Sequence, residues 1–178
     1  GANSALVFIH GYNVSFKDAL DTVSQIVSDI NYDGRVYVYS WPSAATTLRY
    51  VSDLDNAEQA EPFLQSFMKL LLRDADIDYV DILVHSMGSQ SVLRAVSSLQ
   101  SVFETERPGS ATTQISIGQI IFAAPDVAQP TFDQKIRRIA PHANRVTIYA
   151  SATDTALYAS QLLRGGSPRM GEIDNGEP

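Results

Sequence analysis

The chain has 178 residues, of which 44% are hydrophobic, enough for one domain with a full core. Its net charge of −7 disfavours nucleic acid as a partner, and the lack of cysteine excludes disulfides and thiolate metal sites. No apolar run reaches the roughly 18–20 residues of a membrane span, so we predict no transmembrane segment. The three histidines have no H-x-x-x-H or H-x-E spacing, so we predict no metal site and no cofactor.

Strands and helices alternate from the start of the chain. Residues 5–9 form an unbroken apolar run, which is typical of a strand buried on both faces. Ser15 and Asp18 then form a variant of the capping box at the start of an amphipathic helix. A second strand is predicted at residues 36–41, where Pro42 ends it.

A less regular stretch follows. Residues 43–55 show no clear period, and an aperiodic segment at this end of a sheet can form a small lid over a pocket. The next helix is predicted to start at Asn56 and to be kinked by Pro62. Its predicted apolar stripe consists of Phe63, Phe67, Leu70 and Leu71.

Residues 79–88, with the sequence YVDILVHSMG, give the most specific signal. A buried strand ends abruptly at a serine, and helix-spaced apolar residues begin directly afterwards. This is the layout of a nucleophile elbow, in which Ser86 would be held in a strained turn above the carboxyl end of a parallel sheet. Gly88 would let the helix pass close to the strand. The alternative is that Ser86 only caps the helix.

Further strands and helices continue the pattern. Strands are predicted at residues 115–124 and 145–150, with a short helix between them and a final helix around Leu157. We therefore predict an α/β protein, a three-layer α/β/α sandwich with a mainly parallel sheet. Residues 1–164 would form its core domain, and residues 165–178, which are rich in Gly, Pro and charge, an irregular C-terminal segment.

The candidate site lies at the carboxyl ends of the strands, where ligands bind in such sheets. Ser86 is the predicted nucleophile, and two backbone N–H groups are needed to bind the oxyanion. We predict that Met87, directly after the nucleophile, and Tyr12, after the first strand, provide them. The acid is Asp154, after the last strand, or alternatively Asp126, after the fourth; either also suits a helix cap.

The residues around this edge suggest an apolar pocket. We predict that His10, Trp41 and Tyr50 line it, and an apolar wall favours an ester with an aliphatic or aromatic acyl group. The alternative is that these side chains simply pack beneath the neighbouring loop.

No histidine in the chain fits the triad base. His85 directly precedes the serine, and neighbouring strand side chains point to opposite faces, so we expect it to be packed. His10 is expected to shape the oxyanion turn, and His142 precedes the fifth strand, at the opposite end of the sheet. No histidine follows Asp154. We therefore expect the sandwich to be truncated at both ends, with the final strand and the triad histidine after Pro178.

Several motifs resemble, in order, one bacterial α/β-hydrolase family. They are FIHGYN at residues 8–13, SWPS at 40–43, HSMG at 85–88, AAPDV at 123–127 and YAS at 149–151 with Asp154. The family is catalogued as domain of unknown function 900, and its members are often labelled esterase/lipase superfamily enzyme. The resemblance covers nearly the whole chain and implies that Ser86 is the nucleophile and Asp154 the triad acid. Val84 departs from the general elbow pattern, which has glycine two residues before the serine.

Two functions are compatible with this sequence. The first is a serine hydrolase that acts on small carboxylic esters through an acyl-enzyme on Ser86, and is weak in residues 1–178 for lack of the triad histidine. The second is a degenerate hydrolase fold that binds a ligand or a protein partner without turnover. The resemblance implies a bacterial protein, cytoplasmic or periplasmic, and the oligomeric state stays open.

Overall fold

The computed structural model describes residues 3–43, 50–73, 77–99, 116–151 and 168–171. Within these residues, five strands form one sheet in the order β2-β1-β3-β4-β5, and every neighbouring pair is parallel. The strands are β1 (Ser4–Ile9), β2 (Arg35–Tyr39), β3 (Tyr79–His85), β4 (Ser116–Ala123) and β5 (Ala143–Tyr149). The helices are α1 (Phe16–Asp29), α2 (Tyr50–Gln59), α3 (Glu61–Arg73), α4 (Gly88–Ser98) and α5 (Gln129–Ile139), and a 3₁₀ turn (Ala140–His142) precedes β5. The predicted helix around Leu157 lies outside the described residues.

Helices pack on both faces of the sheet, because successive strand residues point to opposite sides. Ile82 and Phe122 belong to the larger core, to which helices α2 to α5 contribute. Phe8 points to the other face, where it packs against Ala19 and Val23 of α1. The protein is therefore a three-layer α/β/α sandwich with a parallel sheet, as predicted.

The start of α1 confirms the predicted capping box. Oγ of Ser15 accepts a hydrogen bond from the N–H of Asp18 at 3.1 Å, and the N–H of Ser15 donates to the Asp18 carboxylate at 3.3 Å. These bonds satisfy N–H groups that have no partner inside the helix. The helix therefore begins where the sequence predicts.

Helices α2 and α3 differ from the prediction. Helix α2 already begins at Tyr50, so the end of the stretch predicted to be aperiodic is helical. The chain breaks into two helices at Ala60, and Pro62 lies in the first turn of α3, where proline is tolerated. The stripe that faces the core consists of Asp53, Ala57, Ala60, Leu64, Met68 and Leu71. This stripe begins with a carboxylate and two alanines, so its hydrophobicity differs little from that of the exposed face. The sequence pattern therefore does not reveal which face is buried.

Two predicted core positions of α3 are therefore wrong. The side chains of Phe63 and Leu70 are both 71% exposed, because the true stripe passes beside them. Phe67 is half-buried, and its ring contacts the rings of Tyr37 and Tyr39 on β2.

Gly88 brings α4 close to the end of β1. A Cβ atom at Gly88 would lie 2.5 Å from the carbonyl oxygen of His10 and 3.0 Å from Cγ2 of Ile9. Val84 is fully buried beside this contact, with Cγ2 3.2 Å from the same point. The elbow therefore accommodates valine two residues before the serine, and the close approach depends on the glycine two residues after it.

We expect Gly88→Ala to destabilise the protein. Alanine normally stabilises a helix by about 1 kcal/mol relative to glycine, but here the added methyl group meets a backbone carbonyl, which cannot rotate away. The free energy of unfolding should fall by about 1–3 kcal/mol, as in overpacked cores. Urea unfolding followed by circular dichroism measures this change. Ser98→Ala, at an exposed position of the same helix, should change it by less than about 0.5 kcal/mol. Equal stability of Gly88→Ala and the unaltered chain would contradict the close approach.

Candidate active site

The turn between β3 and α4 has the backbone of a nucleophile elbow. Ser86 has a φ of 50°, in the left-handed region that residues with a side chain rarely adopt. Its N–H donates to the carbonyl of Ala123 at 2.9 Å, and its carbonyl accepts from the N–H groups of Ser89 at 3.0 Å and Asp126 at 3.3 Å. A conformation of this kind costs about 1–3 kcal/mol and persists only where the surroundings enforce it. The hydrogen bonds on both sides of Ser86 enforce it here.

The side chain of Ser86 does not cap α4, so the capping alternative is wrong. The N-cap residue of α4 is Met87, and no side chain caps the helix. The N–H groups of Ser89 and Gln90, in the first turn of α4, donate instead to the carbonyls of Ser86 and Met87. Ser86 is buried, with 8% of its surface exposed.

Gly11 brings the turn after β1 against this elbow. A Cβ atom at Gly11 would lie 2.9 Å from Cβ of Ser86 and 2.8 Å from Nδ1 of His85, so only glycine fits. Tyr12 is the next residue. The turns that contain the two predicted oxyanion donors, Tyr12 and Met87, are thus in contact.

His10 fixes the peptide that contains the N–H of Tyr12. Nδ1 of His10 lies 2.8 Å from the carbonyl oxygen of Gly11, and Nε2 lies 3.1 Å from Oγ of Ser40. Because a carbonyl oxygen only accepts, we assign the proton to Nδ1, and Nε2 then accepts from the Ser40 hydroxyl. The Gly11 carbonyl and the Tyr12 N–H belong to one planar peptide group. Holding the carbonyl therefore sets the direction of the N–H.

Trp41 supports His10. The two rings are stacked, with centroids 5.2 Å apart and planes 11° from parallel, and Nε1 of Trp41 donates to the His10 carbonyl at 2.8 Å. Both residues are buried. Burial lowers the pKa of His10 below its ordinary value of 6.5 and so favours the neutral imidazole that these hydrogen bonds require. The structure thus brings together two of the predicted pocket residues, His10 and Trp41, beside the turn after β1.

Asp53 is a buried residue of this region that the sequence analysis did not identify. It is fully buried in α2, and its carboxylate accepts a hydrogen bond from Oγ of Ser43 at 2.7 Å. This bond joins α2 to the segment that follows Trp41. Tyr50, the third predicted pocket residue, is the first residue of α2, and its side chain lies outside the described part.

The other two histidines lie at different ends of the sheet. His85 is exposed and not packed as predicted, because β3 ends at this residue, at the carboxyl edge, where its Nδ1 faces Gly11. His142 lies in the 3₁₀ turn before β5, at the opposite edge from Ser86, as expected.

The carboxylate of Asp126 faces an arginine that the sequence analysis also missed. Oδ1 of Asp126 lies 3.4 Å from Nε of Arg169, and neither side chain is more than 3% exposed. Nε2 of Gln90 donates to the Asp126 carbonyl at 2.9 Å. Asp154, the preferred acid, lies outside the described residues.

The segment around Arg169 is attached to the loops that follow β4 and β5. The N–H of Met170 donates to the Val127 carbonyl at 2.9 Å, and the N–H of Ser151 donates to the Gly171 carbonyl at 2.8 Å. Residues 168–171, part of the segment predicted to be irregular, thus pack on the sandwich. No sequence signal indicates this, because Arg169 is a lone charge between Pro168 and Met170.

We expect the Asp126–Arg169 pair to be sensitive to the loss of one partner. Arg169→Met would leave the buried carboxylate without its cation, and the free energy of unfolding should fall by about 3–5 kcal/mol. Urea unfolding measures this change, with Arg138→Met, at an exposed position of α5, as the matched control. Replacing both members, in Asp126→Leu with Arg169→Met, should restore much of the loss. An Arg169→Met variant that is as stable as the control would contradict a buried pair.

Two negative findings apply to the described residues. No group of three His, Asp or Glu side chains among them is arranged to hold a metal ion. None of the helices they form is both long and apolar enough to cross a membrane.

Comparison with known proteins agrees with this fold. A search of curated proteins finds no significant match. A family model described as "Alpha/beta hydrolase of unknown function (DUF900)" matches residues 2–178. The matched range includes the Ser86 turn, the turn after β1 and the loop after β4. The chain therefore belongs to the α/β-hydrolase family of unknown function DUF900.

Proposed function

We propose that the protein is a serine hydrolase that acts on carboxylic esters through an acyl-enzyme on Ser86. The observation that supports this most directly is the left-handed backbone of Ser86, with a φ of 50°, at a strand–turn–helix junction. Membership in an α/β-hydrolase family supports a hydrolase in general. The contact between the elbow and the Gly11 turn supports the acyl-transfer chemistry.

In the proposed reaction, Oγ of Ser86 attacks the ester carbonyl carbon while a base takes its proton. The N–H groups of Tyr12 and Met87 bind the oxyanion of the tetrahedral intermediate. The alcohol leaves with the proton from the base, and water then releases the acid from the acyl-enzyme. Asp154 orients the base. We prefer it to Asp126, because the carboxylate of Asp126 faces Arg169.

The proposed base is a histidine outside residues 1–178. Both ring nitrogens of His10 are used, one by the Gly11 carbonyl and one by Ser40. His142 lies at the wrong edge of the sheet, and Nδ1 of His85 faces the oxyanion turn. The same observation favours the second candidate function, a hydrolase fold that binds a ligand without turnover. The two candidates differ in whether Ser86 reacts.

The proposed substrate is a small ester with an aliphatic or aromatic acyl group. His10 and Trp41 stack on each other and the His10 imidazole is neutral; Tyr50, whose side chain lies outside the described residues, is the third residue of the proposed pocket wall. A wall of this chemistry favours an uncharged acyl chain over a charged one.

A fluorophosphonate probe tests the proposed nucleophile. We expect slow labelling of residues 1–178 and none of Ser86→Ala, because an incomplete triad leaves about 10³–10⁴-fold acceleration over water. Ser98→Ala, which alters an exposed serine of the same helix, is the matched control and should label like the unaltered chain. Mass spectrometry of the labelled peptide identifies the serine.

Three results would contradict parts of the proposal. Labelling that persists in Ser86→Ala would exclude Ser86 as the nucleophile. Fast, Ser86-dependent hydrolysis of p-nitrophenyl butyrate by residues 1–178 alone would show that the base lies within them. No labelling of Ser86, even in the complete natural protein, would favour the binding function.

His10 provides a test of the oxyanion turn. We expect His10→Phe to keep the stacking on Trp41 but to slow Ser86 labelling by about 10²-fold, the lower range for the loss of an oxyanion donor. His10→Asn, whose amide N–H lies near the position of Nδ1, should recover part of this rate. Equal labelling rates in His10→Phe and the unaltered chain would show that the Gly11 carbonyl needs no such support.

The pH dependence of stability gives a second measurement on His10. Its pKa is lowered in the folded state, so between 6.5 and the folded-state value the unfolded chain binds more protons. The contribution of neutral His10 to the free energy of unfolding is therefore fully present above pH 6.5, and it is lost as the pH falls towards the folded-state pKa. The slope of unfolding free energy against pH in this range should be smaller in His10→Phe.

A further inference from the structure

A cavity of about 270 Å³ lies between α4 and α5, apart from the elbow. None of the residues assigned above to the nucleophile, the oxyanion turn or the acyl pocket lines it within the described part of the chain. Its volume is slightly below the roughly 300–1,000 Å³ of pockets for drug-sized ligands, so it fits a smaller molecule.

The described lining of this cavity is cationic. Arg94, Lys135 and Arg169 contribute to it, and no Asp or Glu does. Arg94 pairs with Glu58 and Arg169 with Asp126, whereas no carboxylate of the described residues pairs with Lys135. The cavity thus keeps an excess of positive charge, although the whole chain has a net charge of −7. Such a local excess attracts anions.

One of the two arginines is held in place before any ligand binds. The guanidinium of Arg169 is almost fully buried, with Nε 3.4 Å from Oδ1 of Asp126, whereas Arg94 pairs with Glu58 on α2 at a partly exposed position. A guanidinium fixed in this way presents a planar fork of N–H groups, which suits a carboxylate or a phosphate. Because the donors lose little freedom on binding, the affinity is higher than for mobile side chains.

The rest of the lining is mixed. Leu93, Val127 and Ala128 contribute hydrocarbon, and Gln90 and Thr131 contribute polar groups. We propose that this cavity binds a small organic anion, with a carboxylate or phosphate group on the arginines and Lys135 and a short apolar stem on Leu93 and Val127. This proposal does not rest on the reaction proposed for Ser86.

Titration with four butyl compounds tests this proposal by NMR. We expect sodium butyrate or butyl phosphate, at constant ionic strength, to shift the amide signals of Leu93, Val127 and Thr131. Butanol and butylammonium, which share the stem but not the negative charge, should leave them unchanged. The anion with the lower Kd identifies the head group.

Lys135 provides the variant, and Lys69 provides its control. Both lysines are half-buried on helices, but only Lys135 lines the cavity. Lys135→Gln should raise the Kd about tenfold, the effect of one charge-assisted hydrogen bond, and Lys69→Gln should not change it.

Four outcomes would overturn the proposal. They are no binding of either anion, equal shifts with butanol, an unchanged Kd in Lys135→Gln, and shifts confined to the turns around Ser86 and Tyr12. The first three would deny an anion site, and the last would place the anion at the elbow.

Discussion

The hydrogen bonds on the two peptide groups of Ser86 are the constraint on which the rest of the site depends. A serine at a φ of 50° is unfavourable by itself and would relax to an ordinary turn if its neighbours allowed it. The carbonyl of Ala123 holds its N–H, and the N–H groups of Ser89 and Asp126 hold its carbonyl. Strand β4 and the loop after it therefore belong to the site through their backbone groups.

The backbone around the Ser86 turn is also crowded, and this crowding accounts for the two glycines next to it. Gly11 and Gly88 both lie where a methyl group would collide, one with Ser86 and one with the carbonyl of His10. His10 is thus contacted on its backbone by α4 and by Trp41, and on its ring by the Gly11 carbonyl in the turn after β1. Three separate parts of the chain define the position of one neutral imidazole, and this imidazole in turn orients the Tyr12 peptide.

The features that the sequence predicts are local ones. The apolar runs, the Ser15 capping box and the serine of the elbow each involve neighbours within a few residues, so they give the sandwich and the position of Ser86. The missed features depend on partners that are distant in the sequence, or on charged residues that are buried although charged residues are normally exposed. The core stripe of α2 contains Asp53. A carboxylate is normally predicted to be exposed, but this one is buried because the Ser43 hydroxyl donates a hydrogen bond to it. Arg169 has a partner 43 residues earlier, in a segment that composition alone describes as irregular.

The Asp126–Arg169 pair links the elbow to the cavity between α4 and α5. A buried ion pair is often no more stabilising than an apolar pair of the same shape, so stability alone does not account for it. Its geometry provides a better reason. The N–H of Asp126 holds the carbonyl of Ser86, its carboxylate orients Arg169, and Arg169 lines the cavity. An anion bound in the cavity would share Arg169 with Asp126, and the N–H of Asp126 is one of the groups that hold Ser86 in its strained turn.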